Sequence, residues 1–170
     1  VTGVQTCALP ISAGTFPLPD SQLDRFGLCL RMGLPGRDAE REILTGAGGA
    51  DALDQVRAVA EPQAVAAAIV AIRSVHVSDA VVDYVLDLVA ATRNHAAVVL
   101  GASPRAAKSL LRVAQAHAVL AGRRHVSPDD VQAVALSALA HRLGTAHGPE
   151  LALGSQIVAD VVASVPVPRP

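Results

Sequence analysis

Several common chemistries are excluded by what this chain lacks. It has no tryptophan and only three aromatic residues, Phe16, Phe26 and Tyr84, too few for a β-sandwich core built on aromatic pairs. Its two cysteines, Cys7 and Cys29, make neither a disulfide framework nor a C-x-x-C pair, so a reducing cytoplasmic setting is the expectation. With a net charge of −1 and basic residues scattered along the sequence rather than massed, no nucleic-acid-binding role is expected. The longest apolar run, Ala64 to Ile72, is far shorter than the roughly 20 residues of a membrane span and is expected to be a buried helix. No G-x-x-x-x-G-K-[ST] phosphate loop occurs, so nothing in these residues can wrap the β- and γ-phosphates of a nucleotide and place a lysine and a Mg²⁺-binding hydroxyl on them. Six histidines form no H-x-x-x-H or His/Cys pair at ligand spacing, which argues against a metal. No Ser-His-Asp or Cys-His arrangement can be read from the sequence order, and Cys29 falls in an apolar segment where a thiolate is disfavoured.

What remains is 51% hydrophobic and dominated by alanine, valine and leucine, a composition suited to close helix packing. A mainly α fold is the expectation. Pro17 and Pro19 keep the first segment extended, Asp20 to Arg25 makes a short turn or helix, and Phe26 to Met32 reads as a buried strand. Gly33-Leu-Pro-Gly36 is a turn, and helical spacing then runs from Arg37 to Thr45. A break at Gly46 to Ala50 precedes a short helix near Asp51 to Ala58 and a longer one from Gln63 to Arg73. Ser78 is a suitable N-cap for a helix with the stripe Val81, Val82, Val85, Leu88 and Val89, ending near Asn94. After a short extended piece, Val98 to Leu100, Ser103 and Pro104 supply an N-cap and an N1 proline for a helix to Ala121, which Gly122 ends. Ser127-Pro-Asp-Asp130 has the pattern of a capping box and starts a helix to about Leu143. Gly144 to Gly148 is a loop, Ser155 to Ser164 a last helix, and the proline-rich tail after it is expected to be disordered.

Two arginines have the setting of phosphate-reading groups. Arg25, in Leu23-Asp-Arg-Phe26, precedes the apolar segment; taken alone, these four residues suit an arginine paired with Asp24 or Asp20 in a solvated turn. Arg105 lies in the first turn of the helix capped by Ser103, where its charge adds to the positive end of the helix dipole. A cation is unfavourable there without an anion, which weighs against a merely exposed arginine at a helix start. His117 falls on the apolar side of the same helix and suits a satisfied, half-buried histidine. In His141-Arg142-Leu143 both cations are placed to complement a helix C-terminus, a structural role.

Gly14-Thr-Phe-Pro-Leu-Pro-Asp-Ser-Gln-Leu-Asp-Arg-Phe26 and Gly101-Ala-Ser-Pro-Arg-Ala106, in that order and with helices between, resemble the MoxR family of AAA+ ATPases from the end of the ATPase core through the lid domain. Gly122-Arg-Arg-His-Val-Ser-Pro-Asp-Asp-Val131 and His141-Arg-Leu143 match as well, although the family often has an acid and an aromatic where Arg124 and His125 stand. The resemblance implies a helical AAA+ lid domain over residues 36–165, a short extended remnant of the α/β ATPase core over 13–35 and a disordered tail over 166–170. It implies Arg25 as a trans arginine finger, reaching the ATP of an adjacent subunit, and Arg105 as sensor 2, with Ser103 and Pro104 shaping its nucleotide-binding turn. The parent protein is then expected to bind ATP and Mg²⁺ in a hexameric ring and to act as a chaperone in remodelling or maturation, with von Willebrand factor A-domain partners. These residues alone would bind neither ATP nor Mg²⁺ tightly and would be inactive. Residues 1–12, Val1-Thr-Gly-Val-Gln-Thr-Cys-Ala-Leu-Pro-Ile-Ser12, resemble a translated sequencing-adapter read-through and are expected to be an assembly artefact. The alternative is a free-standing, non-enzymatic helical protein-interaction module.

Overall fold

The computed structural model describes residues 18–45, 56–146 and 150–168, and these are mainly helical. The expectations for residues 1–12, for the start of the Gly-Thr-Phe-Pro segment and for the break after Thr45 lie outside the described residues. Pro19 is extended (ψ 148°) and leads into α1, Asp20–Leu23. Helices α2, Arg37–Leu44, and α3, Pro62–Arg73, bury no residue. Next come α4, Asp79–Asn94; β1, Val98–Leu100; α5, Pro104–Leu120; and α6, Pro128–Leu139, with a 3₁₀ turn, Ala140–Arg142, at its end. Strand β2, Gly144–Thr145, pairs antiparallel with β1, and α7, Leu151–Ser164, closes the order.

The core lies among α4, α5, α6 and α7. On α4 the predicted stripe is buried at Val81, Val85, Leu88 and Val89, while Val82 is half-buried and Tyr84 and Thr92 complete the face. Alanines at 106, 114 and 118 on α5 and at 135 and 138 on α6 are all fully buried and let these helices approach closely around Leu110, Val131 and Leu139. Helix α7 adds Ile157, Val158 and Val161, and it crosses the 3₁₀ turn at Gly154. A Cβ there would come within 2.3 Å of the Ala140 carbonyl oxygen, so only glycine permits this approach. The one buried phenol is satisfied: Tyr84 Oη accepts from Gln132 Nε2 at 2.9 Å.

Five expectations are corrected. Phe26 to Met32 is neither a strand nor buried, with Leu30 72% and Met32 97% exposed; a strand needs a ladder of bonds to a neighbouring backbone, and among the described residues the one backbone bond this segment makes beyond its own turn runs from Cys29 N–H to the Ser137 carbonyl, 2.8 Å long. Helix α3 forms but leaves Val65, Ile69 and Val70 exposed, because its main neighbour among the described helices is α5 and no second helix covers its other face to the same extent. Val56–Ala58 is not helical, and residues 51–55 lie outside the described residues. Ser78 flanks α4 without a side-chain cap bond, whereas Gly144 and Thr145, expected in a loop, pair with β1.

The capping box at the start of α6 also anchors a buried ion cluster. Asp130 is fully buried; its Oδ2 accepts from the Ser127 N–H at 2.8 Å and from Arg123 Nη1, and its Oδ1 accepts from Arg123 Nη2 at 2.6 Å. His117 Nδ1, 2.7 Å from Oδ1, completes the set and is the partner that satisfies this half-exposed histidine. Burial alone would raise the Asp130 pKa, but the bonds from Arg123, His117 and Ser127 outweigh it and hold the carboxyl well below the usual carboxylate range. The unfolded chain therefore takes up a proton that the folded one refuses, and stability should fall as pH drops below about 5. Asp130→Asn should cost about 2 to 3 kcal/mol at pH 7, the lower end for a broken buried pair because Arg123 keeps a third of its side chain in water, and should flatten the acid limb between about pH 5 and 3. Urea unfolding across that range checks both; an unchanged acid limb would contradict the assignment.

Candidate functional site

The turn carrying Arg105 is fixed from α4. Gly101 passes so close to α4 that a Cβ would lie 2.6 Å from Arg93 Cγ. Next to it, the Ala102 peptide is held on both sides: its N–H donates to the buried Thr92 Oγ1 at 3.1 Å, and its carbonyl accepts from Arg93 Nε at 2.9 Å. Ser103 follows as the N-cap of α5, its Oγ accepting from the Ala106 N–H at 3.1 Å, with Pro104 at N1. Ser103 and Pro104 thus take the N-cap and N1 places expected of them. Arg105 then stands 62% exposed at the positive end of a 17-residue helix.

Around it is a groove of about 550 Å³ lined by Gly27, Arg73, Arg105, Lys108, Ser109, Arg112 and Val113. Lys108 and Arg112 follow Arg105 at helical spacing on α5, and Arg73 comes from the end of α3. Arg112 Nη1 donates to the neutral Gln115 Oε1 at 2.9 Å, and the Arg73 and Lys108 side chains make no hydrogen bond or ion pair among the described residues. Four cations thus line one groove, and among the described residues the only carboxylate paired with them is Asp24, whose Oδ2 lies 4.0 Å from Arg105 Nε. Lys108, Arg112 and Arg73 were not singled out from sequence; the i, i+3, i+7 spacing of the first two from Arg105 was the signal.

Asp24 brings the first motif onto the second. Its Oδ1 accepts from Ser103 Oγ at 2.9 Å and lies 3.9 Å from Arg142 Nε. Arg25, next in sequence, is exposed, and its guanidinium pairs with neither Asp24 nor Asp20. The two motif arginines are therefore neighbours through Asp24 without sharing a partner.

His141 and Arg142 do not complement a helix end, as their sequence position suggested. They sit in the 3₁₀ turn and grip the first motif: Arg142 Nη2 donates to the Phe26 carbonyl at 2.5 Å and to Ser109 Oγ at 3.1 Å, and His141 Nε2 lies 3.0 Å from the same carbonyl. A carbonyl only accepts, so this contact requires the proton on His141 Nε2, and Arg142 Nε, 3.3 Å from the same nitrogen, then finds no acceptor there. The Arg142 side chain is 2% exposed, and burial lowers its pKa, with Arg105 acting in the same direction and Asp24 opposing. Burial also pushes the His141 pKa down, as does Arg142, against the opposing pull of the Phe26 carbonyl. The folded protein thus favours the neutral ring, the unfolded chain binds more protons below about pH 6.5, and stability should decline as pH falls from there toward 5. His141→Gln, which keeps a donor for the carbonyl, should remove that decline; thermal unfolding at pH 7 and pH 5 reads it, and an identical loss in both proteins would contradict the assignment.

Comparison with known proteins places this geometry. A family model described as the AAA lid domain matches residues 90–161, which run from the end of α4 through most of α7 and include the Arg105 turn and Arg142. The chain is 35% identical over 158 residues to the uncharacterized protein YeaC of Bacillus subtilis (strain 168), covering 91% of the chain and 49% of YeaC. It is 33% identical over 162 residues to the chaperone MoxR1 of Mycobacterium tuberculosis, covering 88% and 41%. The crystal structure of a candidate ATPase from Cytophaga hutchinsonii superposes with a TM-score of 0.79 at 28% identity, over 94% of this chain and 52% of that one. The chain spans about half the length of the relatives it matches. Sequence motifs, fold and relatives agree: the chain belongs to the MoxR family of AAA+ ATPases, matches their C-terminal region and carries their lid domain.

Proposed function

We propose that these residues are the C-terminal part of a ring-forming ATPase, with 13–35 from the end of its ATPase core and 36–165 as its lid, and that Arg105 reads the γ-phosphate of ATP bound in the same subunit. The observation that carries this is the placement of Arg105 at the N-terminus of α5, in a groove it shares with Arg73, Lys108 and Arg112. Capped helix start and arginine together suit a phosphate oxygen, because N–H groups and guanidinium present donors to one point. Ser103 and Pro104 set the direction of that turn. The exposed Leu28, Leu30 and Met32 fit a segment whose sheet partners belong to the core.

Bound ATP would supply the phosphoanhydride to be broken, and Mg²⁺ would neutralise its phosphates. Arg105 suits the γ-phosphate end of that ligand, whereas no group of three His, Cys, Asp or Glu among the described residues is arranged for a metal. In this reading Mg²⁺ is held by the nucleotide core of the parent, and these residues by themselves do not hydrolyse ATP. Arg25, exposed and without a side-chain partner among the described residues, is the trans finger: a guanidinium offered to the neighbouring subunit's nucleotide ties hydrolysis to ring geometry. The assembled protein is a cytoplasmic hexamer that remodels or matures other proteins together with von Willebrand factor A-domain partners.

Joined to an intact nucleotide core, the chain should lose about a hundredfold in ATP turnover with Arg105→Ala and about a thousandfold with Arg25→Ala. Only the second loss should be relieved in mixed rings, where subunits with a disabled phosphate loop supply Arg25 to subunits that lack it. Unchanged turnover in Arg105→Ala, or no recovery on mixing, would refute the respective role.

A further inference from the structure

If Arg105 reads phosphate, the carboxylate beside it calls for a reason. Asp24 Oδ1 takes the Ser103 hydroxyl at 2.9 Å at the very start of α5, and the carboxylate lies within 4.0 Å of both Arg105 and Arg142. An anion therefore already occupies the positive end of this helix. Beside it is a cavity of about 360 Å³ lined by Asp20, Ser21, Asp24, Leu100, Gly101, Ser103 and Arg142. The Arg142 side chain is 2% exposed, and its Nη1 is buried without a hydrogen-bond partner among the described residues. An orphaned buried guanidinium N–H is costly, and Asp24 does not relieve it. A phosphoryl group could. Its three oxygens can serve the Ser103 hydroxyl, Arg105 and Arg142 together, whereas the carboxylate satisfies Ser103 and stays near 4 Å from both arginines.

We propose that Ser103, Arg105 and Arg142 form an anion cradle that Asp24 fills within the chain, and that a phosphoryl group takes the cradle by displacing Asp24. The inference rests on the phosphate reading of Arg105 and adds its regulation. Displacement has a defined consequence, because the Phe26 carbonyl remains gripped by His141 and Arg142. Arg25 lies between a residue that is released and one that is held, so its direction changes when phosphate arrives. Occupancy at Arg105 would thus be relayed to Arg25 through a single backbone step.

Tripolyphosphate titrated into the whole chain at low salt, followed by ¹H–¹⁵N NMR, tests this. The Ala106 amide, which donates to Ser103, and the Arg105 and Arg142 side-chain N–H signals report the cradle; the Arg25 amide reports the relay. The wild type should bind weakly, with the Ala106 and Arg25 signals moving at one common midpoint. Asp24→Asn should bind at least tenfold more tightly, and Arg105→Ala should abolish binding in either background. Asp20→Asn removes a charge from the same cavity without touching Ser103, and should change affinity less than threefold. Equal gains from Asp20→Asn and Asp24→Asn would reduce the effect to general charge and overturn the exchange. So would Arg105-dependent binding that Asp24→Asn leaves unchanged, or, in the wild type alone, a shift at Ala106 with none at Arg25. Absence of binding in every variant, or binding indifferent to Arg105→Ala, would instead sink the phosphate reading itself and the exchange with it.

Discussion

A guanidinium taken out of water must be given oxygen atoms, and at Arg142 that requirement ties together parts of the chain far apart in sequence. The side chain leaves the 3₁₀ turn after α6 and meets Ser109 on α5 and the Phe26 carbonyl, with Asp24 beside it. Without those oxygens its burial would be prohibitive. The first motif is thereby drawn onto the start of α5, and Arg25 comes to lie near Arg105. Gly154 contributes from the other side by letting α7 press on the backbone that carries Arg142.

The interior is arranged to hold this clasp steady. Alanine-rich faces of α5 and α6 bring the helices close, and the ion cluster at Asp130 fixes the start of α6 against the end of α5. Thr92 and Arg93 hold the Ala102 peptide, so the Arg105 turn is set by α4 rather than left as a free loop. Two motif segments that carry the proposed chemistry are exposed, yet each is positioned by buried polar groups behind it.

Much of this was legible in the sequence wherever local rules act. The apolar spacing of α4, the serine cap of α5 and the capping box of α6 are local features, and the helices start where those residues stand. The place of Arg105 followed from its cap. What sequence could not give were pairings across distance: Asp130 read as a capping acid, with nothing to show that Arg123 and His117 converge on it. Arg142 read as a cation complementing a helix end because burial of a charge depends on partners that sequence order does not reveal. The apolar run of α3 and the segment from Phe26 to Met32 read as buried because hydrophobicity reports a tendency to be covered, not a covering surface.

The account stands on the docking of Asp24 at the start of α5, and a double-mutant cycle measures that contact most directly. Unfolding free energies of Asp24→Asn, Ser103→Ala and the double variant separate the pair from the loss of the helix cap, which occurs in both arms of the cycle. A coupling of about 1 kcal/mol or more is the result expected for a carboxylate that accepts the Ser103 hydroxyl at 2.9 Å. Strictly additive losses would mean that Asp24 does not dock on Ser103 in solution, and would contradict the contact by which Arg25 and Arg105 are linked.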